Sequence, residues 1–259
     1  MPFAINNNCR IYWRLQGAAD KPVIVLLNSI GTDYTLFDGV APILVDDFQL
    51  LRIDTRGHGA SDAPAGDYTL DLLADDVLAV MDAAGVKKAI LCGISLGGMM
   101  SMKIALKAPD RVDALILAFT SSVMDPAFWI KRISDVRNNG MASIADAALT
   151  RLFSEEFFNA DKTAINTARN VLATMSSDGY AGCGAAIRDM NLLPDLPKIR
   201  VPTLVLGGDM DTATPFEGNG DKIAAAIPGA QSAVLHCGHL GSTENPEAFA
   251  AAVRKFLIK

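Results

Sequence analysis

No apolar run in the 259-residue sequence approaches the ~20 residues that a membrane-spanning helix needs; the longest, such as Val23 to Leu27, stop far short. Met1 to Arg10 show no charged start followed by an apolar stretch, so no secretory signal is expected and the expected location is cytoplasmic. Cysteine is scarce. Cys9, Cys92, Cys183 and Cys237 form no C-x-x-C pair, which argues against a disulfide framework and against a zinc site; all four are expected as buried thiols. Positive charge is also thin, with 23 Lys and Arg against 29 Asp and Glu, and it is scattered rather than clustered. A net charge of -6 without a basic patch leaves no footprint for a phosphate backbone, which excludes nucleic acid as the expected partner.

Half of the residues are apolar, enough for one large core with room for an inserted subdomain. Cys9, Ile11, Trp13 and Leu15 alternate with Arg10, Tyr12, Arg14 and Gln16, the pattern of a half-exposed strand, and Asn6 to Asn8 before it suit a hairpin turn. Val23 to Leu27, Ala89 to Cys92, Ala114 to Ala118, Thr203 to Leu206 and Ser232 to Leu235 are short continuous apolar runs. Strands covered on both faces read this way, so a mostly parallel sheet flanked by helices is expected. Helical spacing fills the gaps, as in Leu70, Leu73, Val77, Val80, Met81 and Ala84, closed by Gly85. After Thr120 the alternation gives way to helical patterns alone: Phe128 to Val136, Ile144 to Phe153, Ile165 to Met175 and Ala185 to Leu193. The expected organisation is an α/β core over residues 1–121 and 197–259, with an all-helical cap over 122–196 above the carboxyl edge of the sheet, where such folds bind ligands.

Gly93-Ile-Ser-Leu-Gly97 is a G-x-S-x-G motif set between an apolar run and a helical stretch. In that context the glycines let strand and helix pass closely through a strained turn that lifts the Ser95 hydroxyl above the sheet. The stretch does not spell G-x-G-x-x-G, so a dinucleotide site is not indicated. A serine hydroxyl needs an imidazole to take its proton, and the chain has only His58, His236 and His239. The chain order Ser, acid, His of this motif removes His58, which is expected as a structural loop residue. His236 continues the last apolar run, whereas His239 follows Gly238 in the loop beyond it, so His239 is the expected base. Of the two acids after Thr203 to Leu206, Asp211 lies deeper in the loop and is preferred as the group that orients the imidazole; Asp209 is expected to bind loop backbone. The oxyanion donors are expected to be the N–H of Leu96, next to the nucleophile, and that of Ile30 in Asn28-Ser-Ile-Gly31, each worth roughly 3 to 4 kcal/mol.

These residues resemble the α/β-hydrolase fold, and over nearly its whole length the chain is similar to the β-ketoadipate enol-lactone hydrolases (3-oxoadipate enol-lactonases). The matching stretches are Asn28-Ser-Ile-Gly-Thr-Asp33, Leu51 to Ser61, Gly93 to Met99, and Tyr180-Ala through Ala186-Ile-Arg-Asp-Met190. The resemblance implies hydrolysis of a small unsaturated lactone bearing a carboxylate, without metal or organic cofactor, in the breakdown of aromatic compounds. It also sets Ser29 and Trp129 against the substrate. Burying that carboxylate calls for a cation, and the cap offers Lys131, Arg132, Arg137, Arg151, Arg169 and Arg188; Arg188, in the family-like stretch, is the expected contact. Another esterase, perhydrolase or carbon-carbon bond hydrolase of the same fold, or a ligand receptor retaining the triad, stays open on the sequence, as does a homo-oligomer.

Overall fold

A computed structural model describes residues 2–258. Strand β1 (Phe3–Asn6) pairs antiparallel with β2 (Cys9–Gln16) across Asn7 and Asn8. Both turn residues take the left-handed conformation, with φ of 47° and 57°. Asn tolerates this conformation, and a tight hairpin needs it at both positions. β3 (Val23–Leu27), β4 (Gln49–Ile53), β5 (Ala89–Ile94), β6 (Val112–Ala118), β7 (Thr203–Gly208) and β8 (Gln231–Leu235) run parallel to one another, β2 pairs antiparallel with β4, and the sheet order is β1-β2-β4-β3-β5-β6-β7-β8. β4 escapes the apolar-run criterion because Arg52 interrupts it. That guanidinium is nonetheless buried, donating to Asp38 Oδ1 and, over 2.9 Å, to Gln16 Oε1.

The sheet is apolar on both sides, as continuous apolar strands require. Val25, Leu27, Leu91 and Leu117 belong to the core shared with α2 (Leu70–Ala83) and α3 (Leu96–Lys107). Ile24, Leu26, Ile90 and Ile116 face the opposite core, with Leu44 from the single turn α1 (Ala41–Leu44). Each such fully buried side chain contributes about 1.5–3 kcal/mol by leaving water. α2 starts at its Thr69 cap, whose side chain accepts from the Leu72 N–H, and ends before Gly85, whose φ of 73° closes the helix.

Between β6 and β7 come α4 (Pro126–Asn139), α5 (Ala145–Leu152), α6 (Glu155–Ala160), α7 (Lys162–Thr174) and α8 (Ser177–Asp189). Two features differ from the sequence expectation. The short α6 has no apolar stripe to announce it, and α8 begins at Ser177, well ahead of Ala185, and stops at Asp189. Its first half is rich in glycine, which masks helical periodicity, and packing supplies the reason. A Cβ on Gly179 would lie 2.4 Å from the Gly57 carbonyl oxygen, and one on Gly182 would lie 2.7 Å from the Tyr68 ring. The helix is therefore pressed directly against core loops, and the Tyr68 N–H donates to the Gly182 carbonyl over 3.1 Å.

The chain closes with α9 (Asp221–Ala226), α10 (Gly241–Glu244) and α11 (Pro246–Leu257), the last packing Phe249, Ala250 and Val253 into the second core. All four cysteines are buried and free. No helix among the described residues is long and apolar enough to cross a membrane.

Candidate active site

Ser95 joins β5 to α3 with φ 55° and ψ -114°, a conformation costing about 1–3 kcal/mol for a residue with a side chain. The surroundings hold it there. Its N–H donates to the Ala118 carbonyl over 2.9 Å, and its own carbonyl accepts from Thr120 Oγ1 over 2.6 Å. The flanking glycines are sterically required: a Cβ on Gly93 would lie 2.1 Å from the carbonyl carbon of Gly97, and one on Gly97 would lie 2.2 Å from the Leu27 carbonyl oxygen. Ser95 is 6% exposed and lines a cavity between the sheet edge and the cap.

His239 and Thr214 line the same cavity. His239 lies beyond β8 and Asp211 beyond β7, and their side chains meet with Nδ1 and Oδ2 2.9 Å apart. The Asp211 carboxylate also accepts from the N–H groups of Ala213 (2.8 Å) and Thr214 (3.0 Å) and from Thr214 Oγ1 (3.1 Å). Burial works to raise the Asp211 pKa, but the neighbouring His239 and these N–H donors outweigh it and hold the carboxyl below its ordinary range. With Nδ1–H committed to a carboxylate, Nε2 is the nitrogen that carries the free lone pair. Thr214 was not singled out by the sequence, although it sits in Asp211-Thr-Ala-Thr-Pro215; its Oγ1 lies 3.3 Å from His239 Nδ1 and braces both groups.

The competing acid and imidazole form a separate pair. Asp209 Oδ2 is 2.7 Å from His236 Nδ1, and Asp209 Oδ1 accepts from the Cys237 N–H over 3.2 Å. His236 falls just past the end of β8 rather than within it, and its side chain is exposed.

The loop after β3 is fixed from both sides. Asn28 Oδ1 accepts from Thr55 N–H and Oγ1, while its Nδ2 donates to the carbonyls of Ser29 and Thr32. His58 takes no part in the cavity: its Nε2 accepts from the Gly31 N–H over 3.1 Å, and its Nδ1 faces the Arg56 carbonyl at 3.0 Å. Burial pushes the His58 pKa down to about 4, so the ring is neutral and can accept that bond at neutral pH. Ser29 and Ile30, held by this scaffold, line the cavity. Among the described residues, the N–H groups of Ile30 and of Leu96, the first residue of α3, have no backbone acceptor. Buried amides are rarely left so, and together they suit a developing negative charge.

On the cap side the cavity is lined by Trp129, Phe128 and Tyr180, among others. Trp129 lines the cavity, whereas Arg188, the expected carboxylate contact, does not. Its guanidinium donates to Asp189 and Asp67 at the surface, away from the cavity. Arg188 stands at the last turn of α8, and its neighbour Ile187, not Arg188, lines the cavity. The cations that line the cavity are Arg132 on α4 and Arg151 on α5. Among the described residues, no group of three or more His, Cys, Asp or Glu is placed to hold a metal ion.

Comparison with known proteins places the chain among hydrolases of one fold. The chain is 34% identical over 238 residues to 3-oxoadipate enol-lactonase 2 of Acinetobacter baylyi, covering 92% of this chain and 89% of that protein. The crystal structure of the enol-lactonase from Burkholderia xenovorans superposes with a TM-score of 0.97 at 35% identity, over 100% of both chains. A hydrolase from Pseudomonas aeruginosa does so with a TM-score of 0.96 at 40% identity, over 99% of this chain and 98% of that one. The pattern of the alpha/beta hydrolase fold matches residues 22–246, and with the sheet order and the strained Ser95 turn this establishes that the chain belongs to the alpha/beta hydrolase fold family.

Proposed function

We propose that the protein is a serine hydrolase that opens a small carboxylate-bearing enol-lactone, converting 3-oxoadipate enol-lactone to 3-oxoadipate. The observation that carries the reading is the convergence of Ser95 and the Asp211-paired His239 on one apolar-walled cavity beside two amides without backbone acceptors.

In this mechanism His239 Nε2 takes the Ser95 hydroxyl proton as Oγ attacks the lactone carbonyl. The oxygen of that carbonyl gains the negative charge and is held by the Ile30 and Leu96 N–H groups. When the carbonyl reforms, the ring C–O bond breaks and the enolate oxygen leaves with its electron pair; the imidazolium gives up its proton to this leaving group, which becomes the ketone once the proton sits on carbon, and His239 is neutral again. The product remains tethered as an ester of Ser95. Water, deprotonated by His239, then attacks this ester, and Ser95 leaves as the hydroxyl with a proton returned from the imidazolium. Asp211 keeps the ring in the tautomer that both half-reactions need. Similarity to the enol-lactonases of Acinetobacter baylyi and Burkholderia xenovorans supports the choice of substrate.

The test compares kcat/KM for the enol-lactone with that for p-nitrophenyl acetate. The reading expects the lactone to be preferred by at least a hundredfold and Ser95→Ala to abolish both reactions. Preference for the simple ester would make the protein a general carboxylesterase instead. Full activity in Ser95→Ala would remove the serine mechanism altogether.

A further inference from the structure

Arg132 and Arg151 approach the cavity from different cap helices, and neither has a carboxylate partner. Among the described residues neither guanidinium takes part in an ion pair, and Arg132 Nη1 is buried with no hydrogen-bond partner. Four other cations of the cap have carboxylate partners: Lys131 pairs with Asp135, Arg137 with Asp67, Arg169 with Asp146 and Arg188 with Asp189. Among the described residues, no Asp or Glu lines the cavity. Asp211 lies behind it, already occupied by His239, Thr214 and Ala213.

Packing holds the two guanidiniums in place without neutralising them. Both lie over the Phe128 ring, 5.3 Å (Arg132) and 4.6 Å (Arg151) from its centroid. Phe128 and Arg132 are one helical turn apart on α4, so the ring and one cation share a helix face. Burial, followed by the proximity of Arg132, lowers the pKa of Arg151, so the two charges feel one another. Trp129, which also lines the cavity, adds an Nε1–H that is buried and unpartnered. Partly desolvated like charges with spare donors are costly unless an anion joins them. Planar guanidinium forks match the two oxygens of a carboxylate.

We propose that Arg132 and Arg151 form a carboxylate clamp that fixes the charged end of the substrate against the cap while its ester carbonyl lies at Ser95. The inference rests on the reading of this cavity as a hydrolase substrate pocket and names the residues that select anionic substrates. Because the two cations stand on α4 and α5, a carboxylate between them also ties those helices together over the bound molecule.

The experiment measures inhibition of p-nitrophenyl acetate hydrolysis by hexanoate and by hexanamide, which differ in charge and little in shape. The unmodified protein should bind hexanoate at least 30-fold more tightly than the amide. In Arg132→Gln and in Arg151→Gln the ratio should fall about tenfold, and Arg132→Lys should recover part of it. Thermal melts establish that each variant is folded, and Arg132→Lys keeps the cation should Arg132→Gln not fold. A ratio near one in the unmodified protein, or an unchanged ratio in both Gln variants, would overturn the clamp. Failure of the enol-lactone to react would sink the substrate identity alone, since the hexanoate ratio does not depend on it.

Discussion

Asp211 Oδ2 lies 2.9 Å from His239 Nδ1 across 28 residues of sequence, with both side chains almost wholly removed from solvent. A buried carboxylate in that position dictates which imidazole nitrogen carries the proton, and in the proposed mechanism it stabilises the imidazolium. Asp211→Asn is expected to lower kcat roughly ten-thousand-fold with little change in the folding midpoint. Asp209→Asn, whose carboxylate serves the exposed His236, is expected to stay within a few-fold of the unmodified enzyme. Steady-state kinetics on both variants decide the matter; the opposite ranking would transfer the acid role to Asp209.

Gly97 tests the sequence requirement of the nucleophile turn. A methyl group there would meet backbone, the Leu27 carbonyl oxygen at 2.2 Å, and backbone cannot rotate away as a side chain can. Gly97→Ala should therefore cost about 3 kcal/mol or more, as overpacking at a fixed main chain does. Urea denaturation reads this directly, and a midpoint equal to that of the parent protein would contradict the close approach of β3 and α3.

His58 supplies a pH-dependent contribution whose sign can be worked out. Its pKa falls from 6.5 to about 4 on folding, so the unfolded chain binds the proton more readily. Stability from this residue is therefore fully present above pH 6.5 and is lost as pH falls toward 4, by about 3 kcal/mol. Asp54 acts in the opposite direction, because burial pushes its carboxyl up to about 6. The difference in stability between the parent and His58→Gln cancels that second contribution. It should shrink by about 3 kcal/mol between pH 7 and pH 4, and a pH-independent difference would show that His58 is not held neutral.

Glu244 connects the cap to the loop that carries His239. Its carboxylate accepts from Ser154 N–H (2.9 Å), Ser154 Oγ (2.7 Å) and Gly238 N–H (3.1 Å), while the Leu240 N–H donates to the Leu152 carbonyl over 3.1 Å. Glu244→Ala leaves several part-buried donors without an acceptor, at a cost of about 2–4 kcal/mol. Because Gly238 precedes the imidazole, kcat should fall more than tenfold as well. A stability loss with kcat intact would mean that the loop holds its geometry without this contact.

Much of this site was legible before any coordinates. Ser95, His239 and Asp211 were marked by local signals: a glycine pair flanking a serine, and positions just beyond apolar runs that must be strands. Thr214 was missed because nothing local separates a threonine that braces a buried pair from one in an ordinary turn. β4 was missed because its Arg52 finds its partners, Asp38 and Gln16, on other segments.

The cap marks the boundary of what sequence alone determined. Strand and helix order and the strained turn at Ser95 follow from short-range sterics and from apolar periodicity, which neighbouring residues carry. Which cap cation reaches the cavity follows instead from the rotation and docking of whole helices. Glycines at 179 and 182 let α8 press against Gly57 and Tyr68, and Arg188 finds Asp67 and Asp189 at the surface, while Arg132 and Arg151 line the cavity. Periodicity defines the faces of a helix, but only contact with the rest of the fold decides which face looks inward.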